Sequence, residues 1–220
     1  MQMPPFDSDE PVDFRLLLKN KPYLFLILTN SVLFFIVSGI QYWATYYFIE
    51  VLKVEEKRAN ILFGTSAITA PIFGALTSSV LSTFFGGFSS KKILPCCLVL
   101  SFFGVIFGIA VPESTTILYA DGMLWLLLLI GTIMYPMQTG VMLLHVPPHM
   151  RPTANSIANL SYNLLGYFPA PIVYGLASKI DGQASSRWGM RSLLYSTVLL
   201  PVFIVSAMVA IEMKKKEKSG

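Results

Sequence analysis

Charge is scarce in this sequence. Asp, Glu, Lys and Arg together make up 13% of its 220 residues, whereas 54% of the residues are hydrophobic. A soluble domain carries charge on about a quarter of its residues. The shortage excludes an ordinary water-soluble protein and predicts that most of the outer surface contacts lipid.

Cysteine is equally scarce. The two cysteines, Cys96 and Cys97, are adjacent, so they cannot form a framework of disulfides. They follow Lys91 and Lys92, a position at which both acylation and ordinary apolar packing fit the sequence. We favour packing.

Motifs for catalysis and for metal binding are also missing. The sequence shows no nucleophile with a base partner, no phosphate loop and no paired carboxylates. His145 and His149 have a spacing that can bind metal on a helix, but Pro147 and Pro148 separate them and no third ligand is evident. We therefore expect no enzyme, no metal and no cofactor. The net charge of +4 comes from lysines near the ends, which does not predict nucleic-acid binding.

Long apolar runs are what the sequence has instead. Six runs lack Asp, Glu, Lys and Arg: residues 24–48, 61–85, 93–111, 123–144, 157–177 and 193–211. About 20 apolar residues cross the hydrocarbon of a bilayer as a helix, and open sheet cannot satisfy its backbone there. The fold predicted is an all-α membrane protein with six transmembrane helices in residues 23–213. Residues 1–22 are predicted as a cytosolic linker and 214–220 as a basic cytosolic tail.

The distribution of Lys and Arg predicts the orientation of these helices. With both termini in the cytosol, ten Lys and Arg residues lie inside and six outside. The excess agrees with the positive-inside rule. The start, MQMPPFDSDEPVDF, is acidic and Pro-rich and contains no apolar run, so it does not resemble a signal peptide. It is typical of a linker, and we expect the parent polypeptide to begin before Met1.

Several apolar runs carry uncharged polar residues on one face. In the fifth run, Asn155, Asn159, Tyr162 and Asn163 fall within roughly 120° on a helix, opposite Ile157, Leu160 and Leu164. Such a face suits either a water-filled cavity or plain interhelical hydrogen bonding, and the sequence does not separate the two. The first, second and fourth runs show similar faces. The predicted cavity residues are Gln41, Tyr42, Thr45, Thr69, Tyr135, Gln138, Thr139, Asn159, Tyr162 and Asn163.

The third and sixth runs are predicted to be peripheral. Gly104 and Gly108 in the third have the GxxxG spacing of closely packed helices. Glu50 and Asp121, two carboxylates close to the runs, are placed at span ends. A proton carrier within the membrane is therefore not expected in this chain.

The stretch VPPHMRPTANSIANLSYNLLGYFPAPIVYGL, preceded by DFRLLLKNKPYLFLIL and followed by a basic tail, resembles the C-terminal half of a major facilitator superfamily transporter. Within that superfamily the resemblance is to the spinster-like subgroup. It implies spans seven to twelve of twelve, with helices seven, eight, ten and eleven lining a central cavity. The segment GALTSSVLSTFFGGFSSKK keeps the glycine and the basic pair of the family's gating motif but lacks its acidic residue. Lys91, Lys92 and Arg151 are the residues of the gating loops that the resemblance implies.

The function expected is transport of a small organic, amphipathic, lipid-like solute by alternating access between two halves. Its partners would be membrane lipid, the solute and a second six-helix half, which is either the missing N-terminal half or another subunit. The alternative is a structural membrane subunit that does not transport. Which membrane holds the chain, whether endolysosomal, plasma or another, is left open.

Overall fold

The computed structural model describes residues 14–180 and 186–217, and these are helical with no strand among them. The first part of the predicted linker, residues 1–13, lies outside the described residues, as do 218–220 of the predicted tail. The helices are α1 (Phe14–Lys19), α2 (Lys21–Glu50), α3 (Glu56–Phe84), α4 (Ile93–Glu113), α5 (Ile117–Leu144), α6 (Arg151–Tyr162), α7 (Pro169–Ala177), α8 (Trp188–Leu194) and α9 (Leu199–Glu217).

Five helices are long and apolar enough to cross a membrane: α2, α3, α4, α5 and the continuous stretch Trp188–Glu217 that joins α8 to α9. Four of them contain one of the predicted apolar runs in full, whereas α3 ends at Phe84, one residue before the predicted run 61–85 does. The prediction of an all-α membrane protein is confirmed.

The predicted fifth span is segmented rather than a single helix. A π-helical turn, Asn163–Tyr167, separates α6 from α7. The Phe168 N–H donates to the Asn163 carbonyl over 2.9 Å, five residues back. Pro169 and Pro171 follow at once, and proline has no N–H to donate and crowds the carbonyl four residues before it. A wider turn before the prolines accommodates this conflict.

Helices α2 and α5 form the centre of the bundle. In the most apolar part of α2, 61% of the residues are buried, and in α5 50% are, against 22% in α3. Helices α3 and α4 pack against α5, while α9 packs against α2 and α4. The outer helices present Ile68, Phe102, Val205 and similar side chains on their exposed faces. Those faces suit contact with lipid tails.

Glycines set the distances between the helices. A Cβ at Gly108 would lie 2.9 Å from Thr197 and 3.0 Å from the Leu194 carbonyl oxygen, so α4 lies directly against the start of the last span. Close packing predicted at Gly108 is therefore confirmed, whereas a Cβ at Gly104 would meet only ordinary contacts. A Cβ at Gly166 would lie 2.7 Å from the Ser31 carbonyl oxygen, so the π turn touches the backbone of α2.

Polar contacts tie the helices together at the end predicted to lie outside. Arg191 donates to both carboxylate oxygens of Glu113, over 2.8 and 2.9 Å, and the Tyr195 hydroxyl donates to the same carboxylate over 2.7 Å. Tyr47 and Arg187 donate to the Pro112 carbonyl. The end of α4 thus holds the ends of α2 and α8.

Replacing Gly74 by Ala should destabilise the bundle, by about 1–3 kcal/mol. The added Cβ would lie 2.7 Å from Thr132 and 2.9 Å from the Leu129 carbonyl oxygen, which is backbone and cannot move aside alone. Gly64→Ala is the matched control on the same helix, because nothing lies within 4 Å of its added Cβ. Unfolding in mixed detergent micelles measures both. Equal stability of the two variants would contradict the close contact of α3 with α5.

Candidate functional site

A buried polar group joins the three inner segments of the bundle. The Asn30 amide of α2 donates to the Tyr162 hydroxyl of α6 over 3.1 Å and to the Thr139 hydroxyl of α5 over 3.3 Å. Asn30 is completely buried. The amide therefore connects α2, α5 and α6 at one point.

Aromatic rings pack around Phe34, one helical turn from this amide. Phe34 stacks on Tyr162 with centroids 5.0 Å apart, meets Tyr135 edge-on at 5.2 Å and lies 5.3 Å from Tyr167. These distances are the ones at which aromatic pairs attract each other beyond the burial of area. We name Asn30, Phe34, Tyr135, Thr139, Tyr162 and Tyr167 the amide–aromatic cluster.

The cluster has one unused hydrogen-bond acceptor. The Tyr162 hydroxyl accepts from Asn30 and lies 3.6 Å from the Met142 sulfur, to which it donates. The Asn30 Oδ1 atom is buried and has no hydrogen-bond partner among the described residues. An amide oxygen can accept two hydrogen bonds, so this atom can bind a hydroxyl or an ammonium group that enters the cluster.

Three of the predicted cavity residues, Tyr135, Thr139 and Tyr162, come together in the cluster. Gln138 does not. It is completely buried beside the Cys97 thiol of α4, and neither of its amide atoms has a hydrogen-bond partner among the described residues. It contacts the third predicted span instead.

Thr69 is placed between two helices. It accepts a hydrogen bond from the Trp125 indole over 2.9 Å. One turn away, Ser66 donates to the Asp121 carboxylate over 2.8 Å. Asp121 had been expected at a span end, but α5 begins at Ile117 and the side chain is 7% exposed. The structure thus brings a carboxylate into the interface of α3 and α5, which the sequence did not indicate.

The other five predicted cavity residues lie outside the cluster. Asn159 and Asn163 are exposed, and each amide donates to the carbonyl four residues back on its own helix. Gln41 and Tyr42 are exposed on α2, and Thr45 is half-buried there. The buried face of the fifth span is narrower than its predicted polar face. It consists of Ala154, Ala158, Tyr162, Gly166, Ala170 and Tyr174.

The predicted gating residues lie at the end of the bundle where α5 ends and α6 begins. Lys91 and Lys92 are exposed just before α4, and Arg151 begins α6 with its Nε donating to the Val146 carbonyl over 3.3 Å. His145 contacts the Val141 carbonyl through Nδ1 over 2.8 Å. Groups of three or more potential metal ligands are absent from residues 14–180 and 186–217.

Asn30 and Phe34 were not among the predicted site residues. A signal for Asn30 exists, since it is a carboxamide in an apolar run and such a group needs a partner within the membrane. Phe34, four residues later, faces the same side of the helix. No polar pattern marks it.

Tyr162→Phe should lower the free energy of unfolding by about 0.6 kcal/mol, the average for an interhelical hydrogen bond in a membrane protein. The substitution removes the hydroxyl that Asn30 contacts and keeps the ring that stacks on Phe34. Tyr135→Phe also removes a hydroxyl and keeps the ring that contacts Phe34. It should leave the free energy of unfolding unchanged. Unfolding in mixed micelles compares the two, and equal losses would contradict the role of the Tyr162 hydroxyl.

Comparison with known proteins agrees with this architecture. The sequence profile of the Major Facilitator Superfamily matches residues 4–171. A relative from Arabidopsis thaliana, described as "Probable sphingolipid transporter spinster homolog 2", is 26% identical over 197 residues. The match covers 86% of this chain but 38% of the relative, so the chain spans less than half of that protein's length.

The predicted resemblance is therefore confirmed, including its spinster-like character. The family consists of membrane transporters, which favours the expectation of a protein that is not an enzyme. The apolar helices agree with the membrane location. This chain, an integral multi-pass membrane protein, belongs to the major facilitator superfamily.

Proposed function

We propose that the chain is one six-span half of a secondary transporter and moves a small organic, amphipathic solute by alternating access. The amide–aromatic cluster is the observation that carries this proposal. It joins α2, α5 and α6, and spans at these positions line the central cavity in the family that the chain resembles. Family membership favours transport over the alternative of a structural subunit.

The chemistry of the cluster supports an amphipathic solute. The cluster combines one unpartnered amide oxygen with four aromatic rings, and no charged side chain belongs to it. Such a site offers one directional hydrogen bond and a large apolar surface. A long-chain molecule with a hydroxyl or amine head group matches both. The description of the Arabidopsis relative as a sphingolipid transporter points to the same chemical class.

A second half is part of the proposal. Gln41, Tyr42, Asn159 and Asn163 are exposed on the surface of this chain. Polar side chains that face hydrocarbon with hydrogen-bonding capacity left unused cost up to several kcal/mol each, roughly. A second six-helix body facing these side chains would enclose them in an aqueous cavity. The favoured partner is the N-terminal half of the same transporter.

The predicted orientation, with both termini in the cytosol, is part of the same proposal. Single cysteines at Lys57 and Lys179 should then react with an impermeant maleimide applied to intact cells. A cysteine at Lys91 should react only after permeabilisation. The opposite result at any of the three positions would overturn the orientation.

Exposure of the polar face to water can be tested by labelling within the membrane. Asn159 and Leu160 are both exposed in this chain, as are Asn163 and Leu164. If a cavity faces the asparagines, cysteines at 159 and 163 react with a charged thiosulfonate. Cysteines at 160 and 164, facing lipid, do not react because the thiolate does not form there. Equal labelling at all four positions would contradict the cavity.

Transport itself is tested in proteoliposomes that contain this chain with an N-terminal spinster half. Uptake of a labelled sphingoid base is expected with both halves and not with this chain alone. Asn30→Leu should reduce uptake at least tenfold, since it removes the only amide of the cluster. Asn60→Leu, on the exposed start of α3, is the matched control. Uptake by this chain alone, as a proven monomer, would contradict the half-transporter proposal. Unchanged uptake by correctly inserted Asn30→Leu would contradict the role of the cluster.

A further inference from the structure

Two cavities lie side by side at the end of the bundle where α5 ends. The first, which we name the basic cavity, has a volume of about 510 Å³ and is lined by Lys19, Asn20, His145, Arg151 and Lys214 among others. Its three cations come from the end of α1, the start of α6 and the end of α9. No acidic side chain from the described part of the chain lines it.

The three cations lack counterions within residues 14–180 and 186–217, where no ion pair involves any of them. The Asn20 amide donates to the His145 carbonyl over 2.7 Å, which holds the end of α1 against the end of α5. Arg151 donates through Nε to Val146, which leaves both terminal nitrogens of the guanidinium available. Three like charges held around one cavity favour a bound anion.

The second cavity, which we name the apolar cavity, shares Leu144 and His145 with the first. It has a volume of about 410 Å³ and is lined by the apolar side chains of Leu94, Val141 and Met208. Lys91 and Glu212 also belong to its lining. The cavity lies between α4, α5 and α9, and each of these belongs to a stretch that is long and apolar enough to cross a membrane.

We propose that the paired cavities bind an anionic phospholipid. Its phosphate lies between Lys19, Arg151 and Lys214, and its acyl chain occupies the apolar cavity. Guanidinium and ammonium groups form strong charge-assisted hydrogen bonds with phosphate oxygens. Basic cavities between membrane helices are suited to anionic head groups. The site uses different residues from the amide–aromatic cluster and does not depend on the proposed transport.

A membrane lipid fits the paired cavities better than free phosphate. Free phosphate would use the basic cavity alone and leave the apolar one without a role. A phospholipid fills both, because its head group and its acyl chain are covalently joined. Bound in this way, it would link α1, α6 and α9, which approach one another here around three repelling charges.

The test measures lipid retention. The full chain is equilibrated in phosphatidylcholine vesicles with or without phosphatidic acid, extracted in detergent, and examined by native mass spectrometry. Wild-type protein should retain phosphatidic acid in preference to phosphatidylcholine. Lys19→Gln/Arg151→Gln/Lys214→Gln should bind it on the order of a hundredfold more weakly. The matched control Lys57→Gln/Arg58→Gln/Lys179→Gln removes three exposed cations at the other end and should bind as the wild type does.

A third variant separates a lipid from a phosphate ion. Ile211→Trp adds a large ring to the lining of the apolar cavity and should weaken retention of phosphatidic acid. Circular dichroism establishes that each variant is folded, and an unfolded triple variant is replaced by the three single substitutions. Equal losses in the triple variant and its control would overturn the proposal, because general surface charge would then account for binding. Displacement of the lipid by inorganic phosphate, with no effect of Ile211→Trp, would also overturn it.

Discussion

The requirement that polar groups find partners away from water governs this structure. Within hydrocarbon a side-chain amide must be bound by other parts of the protein. The amide nitrogen of Asn30 meets this requirement by donating to Tyr162 and Thr139, and so connects three helices at a single residue, whereas its Oδ1 atom has no partner among the described residues. Rotation of any one of them about its axis would break these contacts. The positions of α2, α5 and α6 thus depend on the same amide that the proposed solute would approach.

Small residues make that contact possible. Lipid tails are as apolar as leucine, so burial of apolar surface does little to bring membrane helices together, and close van der Waals packing is needed instead. Gly166 lets the π turn touch the backbone of α2 next to Phe34, and Gly74 brings α3 against α5. The wide turn at Asn163–Tyr167 and the glycine within it belong to one local arrangement. That arrangement places Tyr162 and Tyr167 on the two sides of a close helix crossing, both near Phe34.

Much of the candidate site was predictable and part of it was not. Tyr135, Thr139 and Tyr162 were identified from polar faces on apolar helices, and the structure places all three in one cluster. Gln138 belongs to the same predicted face as Tyr135, yet it is buried against α4 beside Cys97. Asp121 was placed at a span end because the apolar run starts at Met123. The helix starts earlier, at Ile117, and Ser66 of α3 donates a hydrogen bond to the carboxylate.

The sequence by itself determined the membrane location, five of the six predicted helical spans and the family. Each of these depends on local composition: lipid excludes charge over about 20 residues, and a backbone in lipid must be helical. Only the tertiary structure decided which polar side chains meet. A helix that is apolar on nearly every side has no single apolar face to set its rotation about its own axis. Both the lipid and the neighbouring helices around it are apolar. The rotation comes from contacts between residues far apart in the chain, such as Gly166 with Ser31 and Asn30 with Tyr162.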